Sequence, residues 1–318
     1  MRKIIGIGET ILDIIFQNQQ PTAAVPGGSV FNSIISLGRL GCDVTMITET
    51  GNDRVGKLIL DFMEQNGVNN RHVAVYHDGR SAISLAWLNE RNDAEYMFYK
   101  DYPAARLDVD WPDIQPDDIV LMGSYFVLNP ALREKTREFI ALARSKGAVI
   151  YYDLNFRATH RDEVVKIYAD VLENMEAADI VRGSTEDLAN LFPKDNAPAA
   201  VSAQEAERIY RNEIAYHCPN FICTDAGSDV LLFTQGAAPQ HFPVEKIQTV
   251  STIGAGDNFN AGIAYALLRE RICRDDIAAL TPALWQRIIQ TGKDLAAEAC
   301  KSLNNSISPA FAAEYKMK

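Results

Sequence analysis

Short apolar runs and helix-spaced apolar residues take turns along the chain. An apolar run at 4–8 predicts a buried strand, and the apolar residues from Val30 to Leu40 recur at helical spacing. Further strands are predicted at 44–48, 119–122, 148–153, 179–181 and 221–224, and further helices at 55–65, 131–145, 162–177 and 205–216. Strands that alternate with helices indicate a mostly parallel sheet covered on both faces, an α/β fold.

One region breaks this alternation. Residues 81–99 contain two runs of alternating apolar and polar positions, separated by the polar stretch 89–93. Ile83, Leu85 and Trp87 fall on one face of the first run, which predicts a β-hairpin. Such a hairpin could be an edge of the main sheet or a small separate sheet that covers a site, and the pattern favours neither.

Composition narrows the class of protein. The chain has 318 residues, of which 47% are apolar and 23% charged, which is typical of a globular protein. Its formal charge of −11 argues against a general nucleic-acid binder. Glu9 and Asp13 interrupt the first apolar stretch, and no apolar stretch is long enough for a membrane span, so we expect a cytoplasmic protein. Five cysteines without a CxxC pair predict neither disulfides nor structural zinc.

Two nucleotide-binding patterns match only in part. Gly6-x-Gly8 follows the first strand, but Ile11 stands where a dinucleotide-binding turn has its third glycine. The stretch 51–57 matches GxxxxGK, but Leu58 follows where a P-loop needs a hydroxyl for magnesium. We therefore expect neither a Rossmann nor a P-loop site, and an exposed Lys57.

The strongest local signal lies at 249–259, where the small residues 254–256 precede a helical pattern. A tight turn that opens a helix directs backbone N–H groups and the positive end of the helix dipole at one point, which suits a phosphate. Asp257 stands beside that point. The motif by itself leaves two interpretations of Asp257 open, a catalytic carboxylate and an ordinary helix N-cap.

Polar residues elsewhere favour the catalytic interpretation. Asp13 follows the first strand, Gly27-Gly28 precede a helix that carries Asn32, and Arg157 follows the strand that ends at Asp153. Ligands bind beyond the carboxyl ends of strands in such sheets. Each residue alone could be structural. Together they provide a carboxylate, an amide and a guanidinium for holding a polyhydroxylated molecule, beside a helix start that suits phosphoryl transfer.

These motifs resemble the ribokinase-like (PfkB-type) carbohydrate kinases, and the resemblance covers nearly the whole chain. The family's Gly-Gly motif matches Gly27-Gly28, its GxDxxG stretch matches 51–56, and its DTxGAGD signature matches 251–257. The resemblance implies a three-layer ribokinase-like fold with a mostly parallel central sheet and a small β-sheet lid. We expect a single domain over 1–318 with lid segments at about 14–26 and 79–102. In this family the lid often also joins two subunits of a homodimer.

The resemblance also implies roles for individual residues. Asp257 matches the catalytic base, and Gly254, Ala255 and Gly256 match the anion hole for the transferring phosphoryl group. The positions that match sugar contacts are Asp13, Gly27, Gly28, Asn32 and Arg157. Arg157 belongs to a D-x-N-x-R motif of members that act on fructose or keto-deoxy sugar acids.

The nucleotide side is matched less closely. The loop 224–229 and the segment 296–305 match regions beside the nucleotide, and the implied nucleotide contacts are Ser184, Thr224, Gly227 and Asn304. The family's usual glycine is absent from 296–305. Its N-x-x-E magnesium motif is replaced by Ser184 to Asp187, so Glu186 and Asp187 are the implied metal ligands. ATP and Mg²⁺ are the implied cosubstrate and ion.

A second departure concerns potassium. Many members bind a monovalent cation through the Asp that opens DTxGAGD and the Thr two residues later, where this chain has Ser251 and Ile253. A hard cation prefers charged oxygen ligands. We therefore expect little dependence on potassium, with the loop held by hydrogen bonds from Ser251 or Thr252.

The expected function is an ATP- and magnesium-dependent fructokinase. A 2-keto-3-deoxygluconate kinase is the first alternative because Arg157 could pair with that substrate's carboxylate, and a nucleoside kinase is a more distant one. From a different class, the chain could be a catalytically silent sugar sensor, against which Asp257 argues. The expected partners are a small sugar and ATP, without nucleic acid or membrane.

Overall fold

Strands and helices alternate through the computed structural model, which describes residues 2–88, 94–193, 199–225 and 227–316. The strands are β1 (Ile4–Ile7), β2 (Ile11–Gln17), β3 (Gln20–Gly27), β4 (Val44–Gly51), β5 (Val68–Tyr76), β6 (Arg80–Leu88), β7 (Ala94–Asp101), β8 (Ile119–Gly123), β9 (Val149–Asp153), β10 (Ile180–Ser184), β11 (Asn220–Asp225), β12 (Asp229–Thr234) and β13 (Gln240–Pro243). The helices are α1 (Ser29–Arg39), α2 (Arg54–Gln65), α3 (Arg133–Ser145), α4 (Val164–Ala177), α5 (Thr185–Leu191), α6 (Ala203–Ile209), α7 (Ala255–Arg269), α8 (Pro282–Ala299) and α9 (Pro309–Lys316).

The chain divides into two compact units. The first consists of Met1–Asp113, Ile247–Arg271 and Gln290–Lys318, and the second of Ile114–Lys246 and Ile272–Ile289. Each unit combines parallel strands with helices, as the α/β pattern of the sequence predicts. The expected single domain stays a prediction.

In the first unit, β1, β4 and β5 pair in parallel in the order β1-β4-β5. Helix α1 packs on β1 so closely that a Cβ on Gly6 would lie 2.5 Å from Ile34 Cγ1, and one on Gly8 would lie 2.7 Å from Val30 Cβ. The Gly6-x-Gly8 pair is thus required by helix–strand packing. Lys57 is 75% exposed and pairs with Asp61, so the partial P-loop match is an ordinary helix start.

The first unit also holds a separate four-stranded sheet, called the small sheet below, in the order β3-β2-β6-β7. β6 and β7 are antiparallel, which confirms the predicted hairpin, and β2 joins β6 in parallel. The polar stretch 89–93 lies outside the described residues. Asp13, which follows the first strand in sequence, lies within β2.

In the second unit the strand order is β13-β12-β11-β10-β9-β8. β8 to β11 are parallel, and β12 and β13 are antiparallel to their neighbours. The helix predicted at 205–216 is α6 followed by a π-helical turn at Tyr210–Ile214. Within the described ranges, none of the helices has the length and apolar character needed to cross a membrane.

Candidate functional site

The turn before α7 brings small residues and a carboxylate together in the first unit. Gly254 is the N-cap of α7 and adopts φ 78°, a left-handed conformation that favours glycine. A Cβ on Gly254 would lie 2.6 Å from the carbonyl oxygen of Asn305. Asp257 is the third residue of α7, so the interpretation of Asp257 as the N-cap is wrong.

Helix α1 holds Asp257 from two sides. Asn32 Nδ2 donates to Asp257 Oδ2 at 2.8 Å, and Ser33 Oγ donates to the main-chain carbonyl of Asp257 at 2.6 Å. Asn32 is buried, whereas Asp257 is partly exposed. The carboxylate is therefore oriented by a buried neighbour while it keeps access to solvent.

Asn258 fixes the turn itself. Its Nδ2 donates to the carbonyls of Gly254 at 2.7 Å and Asn305 at 2.9 Å, and its Oδ1 accepts from Ser36 Oγ at 2.5 Å. Asn258 is fully buried. The side chain of Asn258 thus bonds three segments: the turn before α7, the segment that contains Asn305, and helix α1. These bonds hold the three segments in one geometry.

The first turn of α7 contains the residues that the sequence predicts to bind an anion. The N–H groups of a first helical turn have no intrahelical acceptor. The Ala255 N–H has an acceptor outside the helix, because it donates to the Thr252 carbonyl at 3.2 Å. Gly256 and Asp257 are the next two residues of the same turn. The predicted local bond from Ser251 is confirmed, because Ser251 Oγ accepts the Ile253 N–H at 3.1 Å.

Asp13 is held on the small sheet by two donors. Ser84 Oγ donates to Asp13 Oδ1, and Asn305 Nδ2 donates to Asp13 Oδ2 at 3.0 Å. Gly27 packs against the same carboxylate, since a Cβ there would lie 2.3 Å from Asp13 Oδ2. Gly28 is the N-cap of α1, the helix that carries Asn32. The structure thus collects Asp13, Gly27 and Asn305 in one buried cluster.

The second unit contains most of the other predicted residues. Arg157 follows β9 and is exposed, and its guanidinium has no hydrogen bond or ion pair among the described residues. Thr224 lies in β11 rather than in the loop after it, and its Oγ1 accepts from Arg182 Nη2 at 2.6 Å. Gly227 follows β11 with φ 82°. In the first unit, Asn304 is exposed and its N–H donates to Ser302 Oγ.

Arg182 is a buried cation within β10 of the second unit. Its Nη1 donates to Asp153 Oδ1 at 3.0 Å. Burial alone would lower the pKa of Arg182, but the charges of Asp153 and Asp187 raise it above its ordinary value. Arg182 therefore stays charged and neutralises the carboxylates around it.

The two predicted metal ligands differ in their surroundings. Asp187 is buried in a capping box with Ser184 at the start of α5, and its Oδ1 accepts the Phe156 N–H at 2.7 Å. Glu186 is exposed and has no partner among the described residues. No group of three or more His, Cys, Asp or Glu side chains in the described part of the chain is arranged to hold a metal ion.

Sequence reasoning missed several residues of the site. Ser33, Ser84 and Asn305 each donate to a predicted carboxylate or its main chain, and Arg182 bonds both Asp153 and Thr224. The signal for Arg182 was a charged residue within a buried strand. The resemblance selected Asn304, and Asn305 is the next residue in the chain. No local sequence feature distinguishes these two asparagines.

The architecture is that of an α/β protein whose glycine-capped helix start is typical of phosphate-binding sites, and comparison gives its family. Residues 1–308 match the model of the pfkB family of carbohydrate kinases. The chain belongs to this family. It is therefore a sugar kinase, a phosphotransferase with a hydroxyl group as acceptor.

Relatives named for different substrates have nearly the same sequence identity to this chain. Aminoimidazole riboside kinase of Salmonella typhimurium is 26% identical over 276 residues, 85% of this chain and 82% of the relative. 5-Dehydro-2-deoxygluconokinase of Geobacillus thermodenitrificans is 26% identical over 252 residues, 76% of this chain and 72% of the relative. Fructokinase of Rhizobium leguminosarum is 25% identical over 284 residues, 85% of this chain and 81% of the relative.

Solved structures show the same fold. The fructokinase of Vibrio cholerae, in its fructose-, ADP- and calcium-bound form, superposes with a TM-score of 0.82 at 21% identity, over 99% of both chains. The predicted ribokinase-like α/β fold with a mostly parallel sheet and a small additional sheet is confirmed.

Proposed function

We propose that the chain is an ATP-dependent fructokinase. The observation that carries this proposal is the Asp257 carboxylate, which Asn32 orients at the N-terminus of α7. Asp257 accepts the proton of the attacking sugar hydroxyl, and the first-turn N–H groups of α7 stabilise the charge on the transferring phosphoryl group. Positioning and charge stabilisation provide most of the catalysis in phosphoryl transfer.

Sugar recognition is assigned to Asp13, Gly27, Gly28, Asn32 and Arg157. A buried carboxylate that is already held by two donors presents fixed acceptors to sugar hydroxyls. The guanidinium of Arg157, without a partner among the described residues, supplies donors. Fructose is favoured by the D-x-N-x-R motif at 153–157 and by the fructokinases among the relatives.

ATP is assigned as the phosphoryl donor, with Ser184, Thr224, Gly227 and Asn304 on the nucleotide side. Glu186 suits Mg²⁺, because magnesium in kinases is bound by one or two carboxylates together with substrate phosphates. Asp187 instead orders the start of α5 through its capping box. When bound, the ion neutralises phosphate charge, and Glu186 is the residue of this chain that would hold it.

One alternative substrate class has support of its own. An exposed arginine without a partner suits the carboxylate of a keto-deoxy sugar acid as well as a fructose hydroxyl. A relative that is 26% identical is a 5-dehydro-2-deoxygluconokinase. A riboside acceptor is a third class, since a relative of equal identity is a riboside kinase.

The deciding experiment is a coupled ADP-release assay over fructose, tagatose, ribose, 2-keto-3-deoxygluconate, 5-dehydro-2-deoxygluconate and aminoimidazole riboside. Fructose should give the highest kcat/KM. A higher value with a sugar acid or a riboside would replace fructose as the substrate. Sugar binding without ADP release from any of them would identify a silent sensor.

We assign the small sheet as a lid over the sugar that also forms the interface between the two subunits of a homodimer. Register places Ile14, Leu85 and Met97 side by side on one face, with Phe16 and Trp87 stacked at 5.1 Å beside them. Met97 is 50% exposed, so this apolar face is only partly covered within the subunit. We place the enzyme in the cytoplasm, without nucleic-acid or membrane partners.

A further inference from the structure

Asn305 connects two parts of the site that are far apart in sequence. Its Nδ2 donates to Asp13 Oδ2 at 3.0 Å across 292 positions. Its main-chain carbonyl accepts from Asn258 Nδ2 at 2.9 Å and lies against Gly254, the N-cap of α7. One residue thus contacts both the proposed sugar carboxylate and the proposed anion-binding turn.

The surroundings of Asn305 leave it little freedom. The residue is 1% exposed, and a Cβ on Gly27 would lie 2.9 Å from its Nδ2. The next bonds along the chain, from the Ile307 N–H to Ser36 Oγ and Asn258 Oδ1, hold the same segment. The amide is therefore fixed against Asp13 by packing on several sides.

The oxygen of the Asn305 amide does not stabilise the fold through a hydrogen bond to the described residues. Asn305 Oδ1 is buried and has no hydrogen-bond partner in the described part of the chain. A buried acceptor without a partner is destabilising. The amide orientation follows from Asp13, because only the NH₂ group can donate to a carboxylate. Asn32 repeats the arrangement, with Nδ2 on Asp257 and a buried Oδ1 that likewise has no partner among the described residues.

We propose that Asn305 is a positioning residue for sugar binding. Its Nδ2 fixes the orientation in which the Asp13 carboxylate receives the sugar hydroxyls, and its main chain keeps that carboxylate in register with the turn at Gly254. Asn305 acts through Asp13 and need not touch the sugar. This inference rests on the proposed sugar-binding role of Asp13.

The test measures KM for the sugar and for ATP, and kcat, with the acceptor that gives the highest kcat/KM in the panel above. Asn305→Ala should raise the sugar KM about 10-fold, since a hydrogen bond to a charged group is among the stronger ones. The ATP KM should change less than 2-fold. Asn305→Leu, which keeps most of the side-chain volume, should raise the sugar KM similarly, so that a loss of packing in Asn305→Ala cannot account for the result.

A double-mutant cycle separates positioning from structure. Asp13→Ala should raise the sugar KM strongly, and adding Asn305→Ala to it should raise the KM no further, because the residue through which Asn305 acts is gone. Asn220→Ala is the matched control. Asn220 is also a buried asparagine, and its Nδ2 donates to the Asp179 carbonyl at 3.0 Å in the second unit. Asn220→Ala should lower the melting temperature without changing the sugar KM.

The outcomes distinguish this inference from the function on which it rests. If Asp13→Ala leaves the sugar KM unchanged, or no sugar in the panel is phosphorylated, the proposed function fails and the inference fails with it. If Asp13→Ala raises the sugar KM but Asn305→Ala and Asn305→Leu do not, only the role of Asn305 is refuted. Equal losses in sugar and ATP KM, or additive effects in the cycle, would make Asn305 a structural residue.

Discussion

Asn32 Nδ2 donates a hydrogen bond of 2.8 Å to Asp257 Oδ2, although 225 positions separate the two residues. The bond joins the second turn of α1 to the first turn of α7. An amide donor fixes the direction of the carboxylate that it bonds. The Asp257 carboxylate is therefore held in one direction at the first turn of α7.

Replacing Asp257 with Asn should lower kcat by about 10²–10⁴-fold, the usual contribution of a general base. Sugar binding should stay nearly intact because the amide keeps the shape of the carboxylate. Steady-state kinetics and sugar titration measure the two effects. Asp61→Asn, which changes an exposed carboxylate of α2, is the control. A variant that retains most of its kcat would leave Asp257 a structural residue.

Replacing Arg157 with Ala should raise the KM for the sugar at least 10-fold and change that for ATP little. The reason is that a guanidinium without a partner in the described residues is available for substrate oxygens. Arg137→Ala is the control, because Arg137 is exposed and paired with Glu173. If both KM values change equally, or if neither changes, the assignment of Arg157 to the sugar is refuted.

The apolar face of the small sheet should be buried in a dimer. Replacing Met97 with Lys places a charge on that face and should shift sedimentation from dimer to monomer. Replacing Leu58, an exposed residue of α2, with Lys should leave the sedimentation coefficient unchanged. A wild-type protein that sediments as a monomer at micromolar concentration would exclude this role of the face.

Activity should depend little on potassium. Ser251 is fully buried and its Oγ already accepts the Ile253 N–H, and Ile253 has no side-chain oxygen. The comparison is kcat/KM in potassium and in tetramethylammonium chloride at equal ionic strength, with an expected ratio near 1. Activation by potassium of 10-fold or more would show that a cation site persists despite these two residues.

Asp53 should stabilise the fold in a pH-dependent way. It is the N-cap of α2, and burial would raise its pKa, but hydrogen bonds from Gly56 and Ser81 hold its pKa below the ordinary value. A carboxyl whose folded pKa is below its unfolded value of about 3.9 contributes stability above that value and loses it as the pH falls through the folded pKa.

Asp53→Ala should therefore lower the free energy of unfolding by about 0.5–2 kcal/mol at pH 7, the usual cost of losing an N-cap. Urea denaturation of both proteins from pH 7 to pH 3 should show the difference shrinking at the acid end. Asp108 is exposed and has no partner in the described ranges, so Asp108→Ala should show no difference at any pH. A constant difference for Asp53→Ala would refute the lowered pKa.

Local spacing was sufficient for much of the fold. Apolar runs and helical repeats are properties of neighbouring residues, so the sequence predicted α1, α2, β4 and the β6–β7 hairpin close to their bounds. It also placed Asp257 beside a helix start, because small residues before a helical repeat are a local signal. The family followed from motifs in a fixed order.

Only the tertiary structure decided what each polar group bonds. Nothing near Asp13 in sequence indicates that Asn305 and Ser84 would donate to it, and nothing near Asp187 indicates that the Phe156 N–H would. Such bonds join segments that meet only after the strands pair and the helices pack. Spacing can nominate a carboxylate for chemistry, but its donors, burial and direction depend on residues that lie from 31 to 292 positions away in these examples, and these determine what the carboxylate can do.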